Sequence, residues 1–134
     1  NLIHKDGFTV IDDCYNANPV SMKASIDVLS KAPGRKIAVL GDMGELGTDE
    51  KKLHHIVGEY FADKGIDLLY CTGTLSEEIA DAVREYSRET EVHYCKNKEE
   101  LMDELIKEVK KGDTVLVKAS HFMGFPEIVK KLTM

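Results

Sequence analysis

Residues 10–19 read Val10-Ile11-Asp12-Asp13-Cys14-Tyr15-Asn16-Ala17-Asn18-Pro19, and this stretch decides the fold. The apolar run from Phe8 to Ile11 predicts a short buried strand that turns polar at its carboxyl end. Pro19 suits the first turn of a helix, because the N–H that it lacks would be unpaired there anyway. Apolar residues then recur at helical spacing at Met22, Ile26 and Leu29. The stretch therefore predicts a strand, a polar loop and the start of a helix.

The rest of the chain repeats this alternation of apolar runs and amphipathic segments. Four further runs are predicted as strands: Lys36–Leu40, Leu68–Cys71, Glu91–Tyr94 and Thr114–Lys118. The clearest helical pattern is Leu53, Ile56, Val57, Tyr60 and Phe61, and three weaker ones follow around Ile79, Leu105 and Ile128. Such alternation predicts a doubly wound α/β fold with a mostly parallel sheet of five or six strands and helices on both faces. We expect one domain over residues 1–134.

Several residues mark where the predicted helices begin and end. Thr74 with Glu77, and Asn97 with Glu100, have the spacing of a capping box. Thr48 is expected to be the N-cap of the second helix. Two glycines, Gly65 and Gly112, are expected to end helices two and four in the left-handed conformation.

Composition excludes several classes of function. The net charge of −6 argues against nucleic-acid binding, and no apolar run approaches the ~20 residues that span a bilayer. The three cysteines, Cys14, Cys71 and Cys95, are odd in number and form no C-x-x-C pair. This usage argues against a zinc site or a disulfide framework and predicts a reducing, cytoplasmic location.

The first polar loop contains the strongest candidate ligand contacts. In open α/β sheets, ligands bind outside the carboxyl ends of the strands, which is where Asp13 and Asn16 lie in the sequence. Carboxylates there can hold a ribose hydroxyl or a metal, and amides can donate to phosphate or read a base. Asn and Asp are also common turn formers, and for Asn18, just before Pro19, helix capping is an equal alternative.

Two later loops follow predicted strands in the same way. Residues 41–48 contain three glycines around Asp42, without a G-x-G-x-x-G fingerprint, and Asp42 is the functional candidate there. Lys118, Ser120 and His121 follow the last strand and can receive an anionic or peptidic group. The alternatives are that Lys118 extends to solvent and that Ser120 caps the last helix. The chain has no G-x-x-x-x-G-K-[ST] motif and so no triphosphate clamp of its own.

Three motifs resemble those of the MurF-type Mur ligases. Residues 11–22 are similar to the signature D-D-S-Y-N-A-N-P-x-S-M of that family, and residues 37–47 resemble its I-A-V-L-G-D-M-x-E-L-G. Residues 115–120 are similar to its V-L-V-K-G-S on the final strand. The chain departs from the family pattern in Cys14 for serine, Ala119 for glycine and His121 for arginine, and in one extra residue before Glu127.

The resemblance implies a Rossmann-like Mur ligase C-terminal domain, which is a fragment of a longer three-domain enzyme. Such an enzyme uses ATP to join D-alanyl-D-alanine to UDP-N-acetylmuramoyl-tripeptide in peptidoglycan precursor synthesis. A central domain would hold most of the ATP and Mg²⁺, and an N-terminal domain the UDP end, so this chain alone is expected to be inactive. The resemblance implies no catalytic residue and no metal ligand in this chain. It implies nucleotide contacts by Asp13, Tyr15, Asn16 and Asn18, and substrate contacts by Asp42, Lys118, Ser120 and His121.

Two other classes of protein compete with this interpretation. A free-standing receiver-like or nucleotide-binding regulatory module would use the early Asp12-Asp13 pair and Lys118, but the glycine-rich loop around Asp42 fits it poorly. A nucleotide-dependent oxidoreductase is disfavoured because its dinucleotide fingerprint is missing.

Overall fold

The computed structural model describes all 134 residues as one six-stranded sheet with five α-helices. The strands are β1 (Leu2–Lys5), β2 (Phe8–Asp12), β3 (Lys36–Leu40), β4 (Leu68–Thr72), β5 (Glu91–Cys95) and β6 (Thr114–Lys118). The helices are α1 (Pro19–Ser30), α2 (Glu50–Phe61), α3 (Ser76–Tyr86), α4 (Lys98–Glu108) and α5 (Pro126–Leu132). Short 3₁₀ turns at Gly47–Asp49 and His121–Met123 precede α2 and α5. The predicted α/β fold with a mostly parallel sheet is confirmed.

The edge strand β1 is the one strand that the apolar runs did not reveal. It pairs antiparallel with β2 through a two-residue turn at Asp6 and Gly7, both with positive φ (49° and 85°). An Asp-Gly pair between two short strands is a strong signal for a tight hairpin, and the sequence carries it. The strand was missed because only Leu2 and Ile3 are apolar in it.

Helices cover both faces of the sheet, because neighbouring residues of each central strand point to opposite sides. Val115 and Val117 of β6 pack with α4 and α5 on one face. Leu116, between them, packs with α1, α2 and α3 on the other face. Strands β4 and β6 are buried along their whole length, as expected for parallel strands between two layers of helices.

The strand order β1-β2-β6-β3-β4-β5 brings the three polar loops side by side. Strands β2, β6 and β3 are parallel neighbours, so their carboxyl ends meet at one edge of the sheet. Backbone hydrogen bonds continue past the strand ends, from Asp13 N–H to the Val117 carbonyl (3.1 Å) and from Ser120 N–H to the Asp42 carbonyl (3.0 Å). Each loop therefore begins from a fixed backbone position.

The predicted N-cap at Asn97 is correct, and at Asn18 the capping alternative is the one that the structure shows. The side chain of Asn18 accepts from the Ser21 N–H (2.8 Å), and the Ser21 hydroxyl oxygen accepts from the Asn18 N–H (3.0 Å), which forms a complete capping box on α1. Asn97 accepts from the Glu100 N–H (2.8 Å) at the start of α4.

The other predicted helix ends are wrong in detail. Thr48 lies inside the 3₁₀ turn, and no side chain caps α2. Thr74 does not cap α3; the N–H of Ser76, the first residue of α3, donates to the side chain of Asp42 instead. The left-handed glycines are present, with φ of 70° at Gly65 and 92° at Gly112. They lie in the turns beyond α2 and α4 rather than directly at the helix ends.

Candidate functional site

The candidate site is formed by three loops: loop 1 (residues 12–18), loop 2 (residues 41–48) and loop 3 (residues 118–123). The buried Ser120 connects all three. Its hydroxyl oxygen accepts from the Gly44 N–H of loop 2 (2.7 Å), and its hydroxyl group donates to the Ala17 carbonyl of loop 1 (3.3 Å). A hydroxyl group has one hydrogen to donate, so Ser120 cannot also donate to a substrate in this arrangement. Ser120 holds the loops together and does not cap the last helix.

Lys118 is buried beneath loop 1 and does not extend to solvent. Its side chain is 2% exposed, and its ammonium group lies 2.7 Å from Asp13 Oδ2 and 3.1 Å from the Asn16 carbonyl. The Ser25 hydroxyl donates to the same Asp13 oxygen (2.6 Å). Lys118 thus shapes loop 1, and a contact between Lys118 and a substrate stays a prediction.

Asp13 is ionised in this arrangement. Its partial burial raises the pKa of the carboxyl group, but the hydrogen bonds from Lys118 and Ser25 outweigh burial and lower the pKa overall. The carboxylate already accepts two donors from within the domain. Asp13 therefore holds loop 1 to β6 and α1 through Lys118 and Ser25.

Asp42 caps a helix instead of lining a pocket. Its carboxylate is buried (the residue is 7% exposed), and Oδ1 accepts from the Ser76 N–H of α3 (2.7 Å). A carboxylate at this position also complements the positive end of the helix dipole. Asp42 was expected to meet Ser120 and His121 at a substrate, but its side chain faces the turn at Gly73. Sequence spacing suggested Thr74 as the cap, whereas the actual cap comes from 34 residues earlier in the chain.

His54 holds the other end of loop 2. This buried histidine accepts the Met43 N–H at Nε2 (2.9 Å) and donates from Nδ1 to the Glu50 carbonyl (2.6 Å). Because Nε2 accepts a hydrogen bond, the imidazole is neutral with its proton on Nδ1. The neighbouring His55 points to a different face of α2, near Glu59 and Glu78. The two imidazoles therefore have separate partners on different sides of α2.

A cavity of about 290 Å³ opens where the three loops meet. It is lined by Asn16, Gly44, Glu45, Ser120, His121 and Phe122. A second cavity, of about 230 Å³, lies on the other side of His121 and is lined by Asp12, Cys14, Tyr15, His121 and Pro126. His121 thus belongs to both cavities. A larger groove of about 390 Å³ lies between β1, β2 and α1, outside the three loops.

The rims of these cavities carry exposed aromatic side chains. Tyr15 is 85% exposed and Phe122 is 66% exposed. The side chain of Asn16 is exposed as well, whereas the side-chain oxygen of Asn18 is used as the helix cap. Of the four expected nucleotide contacts, Tyr15 and Asn16 are therefore free to touch a ligand, and Asp13 and Asn18 position the loop.

Sequence reasoning missed Glu45 as a site residue. It lies in the cavity with a positive φ of 58°, a conformation that is uncommon for residues other than glycine. The signal that could have found it is an acidic residue flanked by Gly44 and Gly47 in a loop at the ligand edge of the sheet.

The possible metal ligands lie at another place, at the β5 edge of the sheet. Cys95, Glu100 and Glu104 have ligand atoms within 4.8 Å of one another. Burial raises the pKa of the Cys95 thiol to about 12, with the two glutamates adding to the effect. The thiol is therefore protonated at neutral pH, and a metal ion would have to displace that proton in order to bind there.

The strand order and the helices on both faces define a doubly wound α/β domain with cavities at the carboxyl ends of its strands. The chain belongs to the Mur ligase family, because residues 1–121 match the family model described as "Mur ligase, glutamate ligase domain". The receiver-like and oxidoreductase alternatives are not favoured by this match. No helix is long and apolar enough to cross a membrane.

Curated relatives carry one particular name. The chain is 37% identical over 134 residues to the UDP-N-acetylmuramoyl-tripeptide–D-alanyl-D-alanine ligase of Bacillus subtilis, a match that covers 98% of this chain and 29% of the relative. It is 34% identical over 125 residues to the Escherichia coli ligase of the same name, over 92% of this chain and 26% of the relative. The chain thus spans less than a third of the length of these relatives.

Solved structures agree with this relationship. The MurF ligase from Thermotoga maritima in complex with ADP superposes with a TM-score of 0.83 at 32% identity, over 99% of this chain and 30% of that one. A MurF structure from Acinetobacter baumannii superposes with a TM-score of 0.87 at 29% identity, over 99% and 30% of the two chains. The resemblance seen in the three sequence motifs is confirmed.

Proposed function

We propose that this chain is the C-terminal domain of a three-domain, ATP-dependent ligase. The ligase would join D-alanyl-D-alanine to UDP-N-acetylmuramoyl-tripeptide in peptidoglycan precursor synthesis. The observation that carries the proposal is the polar cavity at the carboxyl ends of β2, β3 and β6, in a chain 37% identical to a ligase of that name. An enzyme that consumes ATP and a UDP-linked precursor is expected to act in the cytoplasm.

Loop 1 would contact the nucleotide when the domains close. The exposed ring of Tyr15 and the exposed amide of Asn16 suit a base or a ribose, and the ADP complex of the Thermotoga maritima relative supports nucleotide use. Asp13 does not suit Mg²⁺, because its carboxylate is already paired with Lys118 and Ser25. The metal and the triphosphate would therefore be held mainly by the central domain, and the UDP end of the acceptor by the N-terminal domain.

The cavity between the three loops would receive the dipeptide. Its volume of about 290 Å³ is close to the small end of ligand pockets, about 300 Å³, which suits a molecule of two small residues. His121 can donate one N–H to a carboxylate there, where the family resemblance leads us to expect the five donors of an arginine. Ser120 and Lys118 would act by holding the loops, since their own polar groups are used inside the domain.

The proposed function is tested with the full-length gene product. We expect ADP formation only when ATP, Mg²⁺, UDP-N-acetylmuramoyl-tripeptide and D-alanyl-D-alanine are all present. The purified 134-residue chain should form none under the same conditions, because it has no triphosphate-binding motif. ADP formation that does not depend on the dipeptide, or ADP formation by the isolated chain, would contradict the proposal.

Asn16→Ala in the full-length enzyme is expected to raise the KM for ATP about fivefold, since a hydrogen bond to an uncharged group such as a base or a ribose contributes about 1 kcal/mol. The KM for the acceptor substrate should stay within about twofold. The matched control is Asn97→Ala, which removes an Asn cap from α4 far along the chain and should cost stability of about 1 kcal/mol without changing the KM for ATP. Equal KM values for ATP in wild type and Asn16→Ala would assign Asn16 to turn formation alone.

A further inference from the structure

We propose that Glu45 binds the ammonium group of the incoming dipeptide. The inference rests on the proposed function and deepens it, because it assigns the amine end of the substrate to one side chain. The sequence motifs directed attention to Asp42 as the acid of this loop, and the structure removes Asp42 from the cavity.

The backbone of Glu45 is the first observation. Its φ of 58° is left-handed, although its side chain gives no local compensation of the kind that Asn or Asp provides. Residues held in such conformations persist when their surroundings over-determine them, and they cluster at ligand-binding positions. A glycine would adopt this conformation without strain. The fold is therefore less stable with glutamate at position 45 than it would be with glycine.

The surroundings fix this conformation from two sides. The N–H of Met43 is held by the buried His54 and the N–H of Gly44 by the buried Ser120. Gly44 also allows loop 3 to approach closely, because a Cβ there would lie 2.9 Å from the ring of Phe122. The two residues before Glu45 are thus fixed to side chains of α2 and loop 3.

The charges lining the cavity are the second observation. Glu45 is the only carboxylate among the six lining residues, it is exposed, and it forms no ion pair within the domain. The same cavity is lined by the exposed side chain of His121, which can donate a hydrogen bond. An acid at one position and a donor at another match a molecule with an ammonium group at one end and a carboxylate at the other.

In this arrangement Glu45 recognises the amine end of the ligand. A dipeptide bound this way would have its carboxylate near His121 and its amino nitrogen near loop 2. The site would then discriminate against ligands of the same shape that lack the amine, because the Glu45 carboxylate would lose its partner.

The test is Glu45→Gln in the full-length enzyme, which keeps the size of the side chain and removes its charge. We expect the KM for D-alanyl-D-alanine to rise about tenfold, with the KM for ATP unchanged. The matched control is Asp49→Asn, which removes one exposed negative charge four residues later and outside the cavity, and should change neither KM.

A second measurement uses a ligand instead of a variant. Propionyl-D-alanine has the shape of the dipeptide but no amine, and it can bind only as a competitive inhibitor. Wild type should bind it about tenfold more weakly than the dipeptide, whereas Glu45→Gln should bind the two ligands about equally.

Glu45→Gly separates binding from folding. It should be at least as stable as wild type, because glycine relieves the positive φ, and yet it should show the same rise in KM for the dipeptide. An active enzyme whose Glu45→Gln variant keeps the wild-type KM and the wild-type discrimination against propionyl-D-alanine would overturn this inference alone. A full-length protein with no dipeptide-dependent ADP formation would overturn the proposed function and the inference with it.

Discussion

Asp13→Ala is expected to lower the free energy of unfolding of the 134-residue chain by about 2–3 kcal/mol at neutral pH. The substitution leaves the ammonium group of Lys118 buried, with only the Asn16 carbonyl as a partner. It also removes the acceptor of the Ser25 hydroxyl. The expected loss is smaller than for a fully buried ion pair, because the Asp13 side chain is 41% exposed and water can reach the gap. Urea unfolding followed by circular dichroism measures it.

The double variant Asp13→Ala with Lys118→Met is the control for this prediction. Methionine has nearly the length of lysine and no charge to leave unpaired, so the double variant should recover most of the lost stability. Asp81→Ala removes an acid from an exposed pair with Arg84 and should cost less than about 0.5 kcal/mol. If Asp13→Ala and Asp81→Ala lower the free energy of unfolding equally, burial of Lys118 does not require Asp13 as its partner.

The same pair predicts a pH dependence with a definite sign. The pKa of the Asp13 carboxyl group is held below its ordinary value of 3.8, because the hydrogen bonds from Lys118 and Ser25 outweigh the effect of burial. The stability that ionised Asp13 contributes is therefore fully present above pH 3.8 and is lost as the pH falls through the lowered pKa. The stability difference between wild type and Asp13→Ala should shrink in acid. A difference that grows below pH 3.8 would contradict this assignment.

Gly73→Ala is expected to lower the free energy of unfolding by about 3 kcal/mol, through strain and overpacking together. Gly73 has a φ of 119°, and a Cβ added to it would lie 2.3 Å from Oδ1 of Asp42. That oxygen is the one that caps α3 at Ser76, so the added methyl group should also weaken the cap. The substitution tests whether Asp42 of loop 2 packs against the turn that follows β4.

The matched control for Gly73→Ala is Gly47→Ala. Gly47 also has a positive φ (76°), but no atom lies within 4 Å of the place that its added methyl group would occupy, so the cost should be the backbone strain of about 1 kcal/mol. Thermal unfolding of the two variants gives the difference directly. Equal losses would show that the carboxylate of Asp42 moves away freely and that the contact with Gly73 carries no packing energy.

Most of the fold could be predicted because its signals are local. The strands β3 and β6 were predicted with their observed bounds, and β2, β4 and β5 each extend one residue further than predicted. The caps at Asn18 and Asn97 were found because each uses a side chain and an N–H only three residues apart. The helix end at Ser76 was missed because its partner, Asp42, comes from a distant part of the chain.

The candidate site was only partly predictable. The sequence indicated which loops meet at the site, but it did not indicate what each side chain contacts there. Lys118, Ser120 and Asp42 were expected to face a substrate, and all three instead use their polar groups inside the domain. Whether Tyr15, Asn16 and His121 contact nucleotide or dipeptide stays a prediction. Glu45 was passed over in favour of Asp42 in the same loop, although its place between Gly44 and Gly47 was a usable signal; its positive φ is visible only in the structure.

By itself the sequence determined the class of fold and the family, because hydrophobic periodicity and long motifs depend on neighbours along the chain. Only the tertiary structure decided which polar side chain meets which. Strand order places loops 1, 2 and 3 together, and packing then buries Lys118 while Glu45 stays exposed. A buried polar group must find a partner, and that partner can lie a hundred residues away, as Asp13 does for Lys118. Such pairings follow from the folded arrangement and leave no pattern in local sequence.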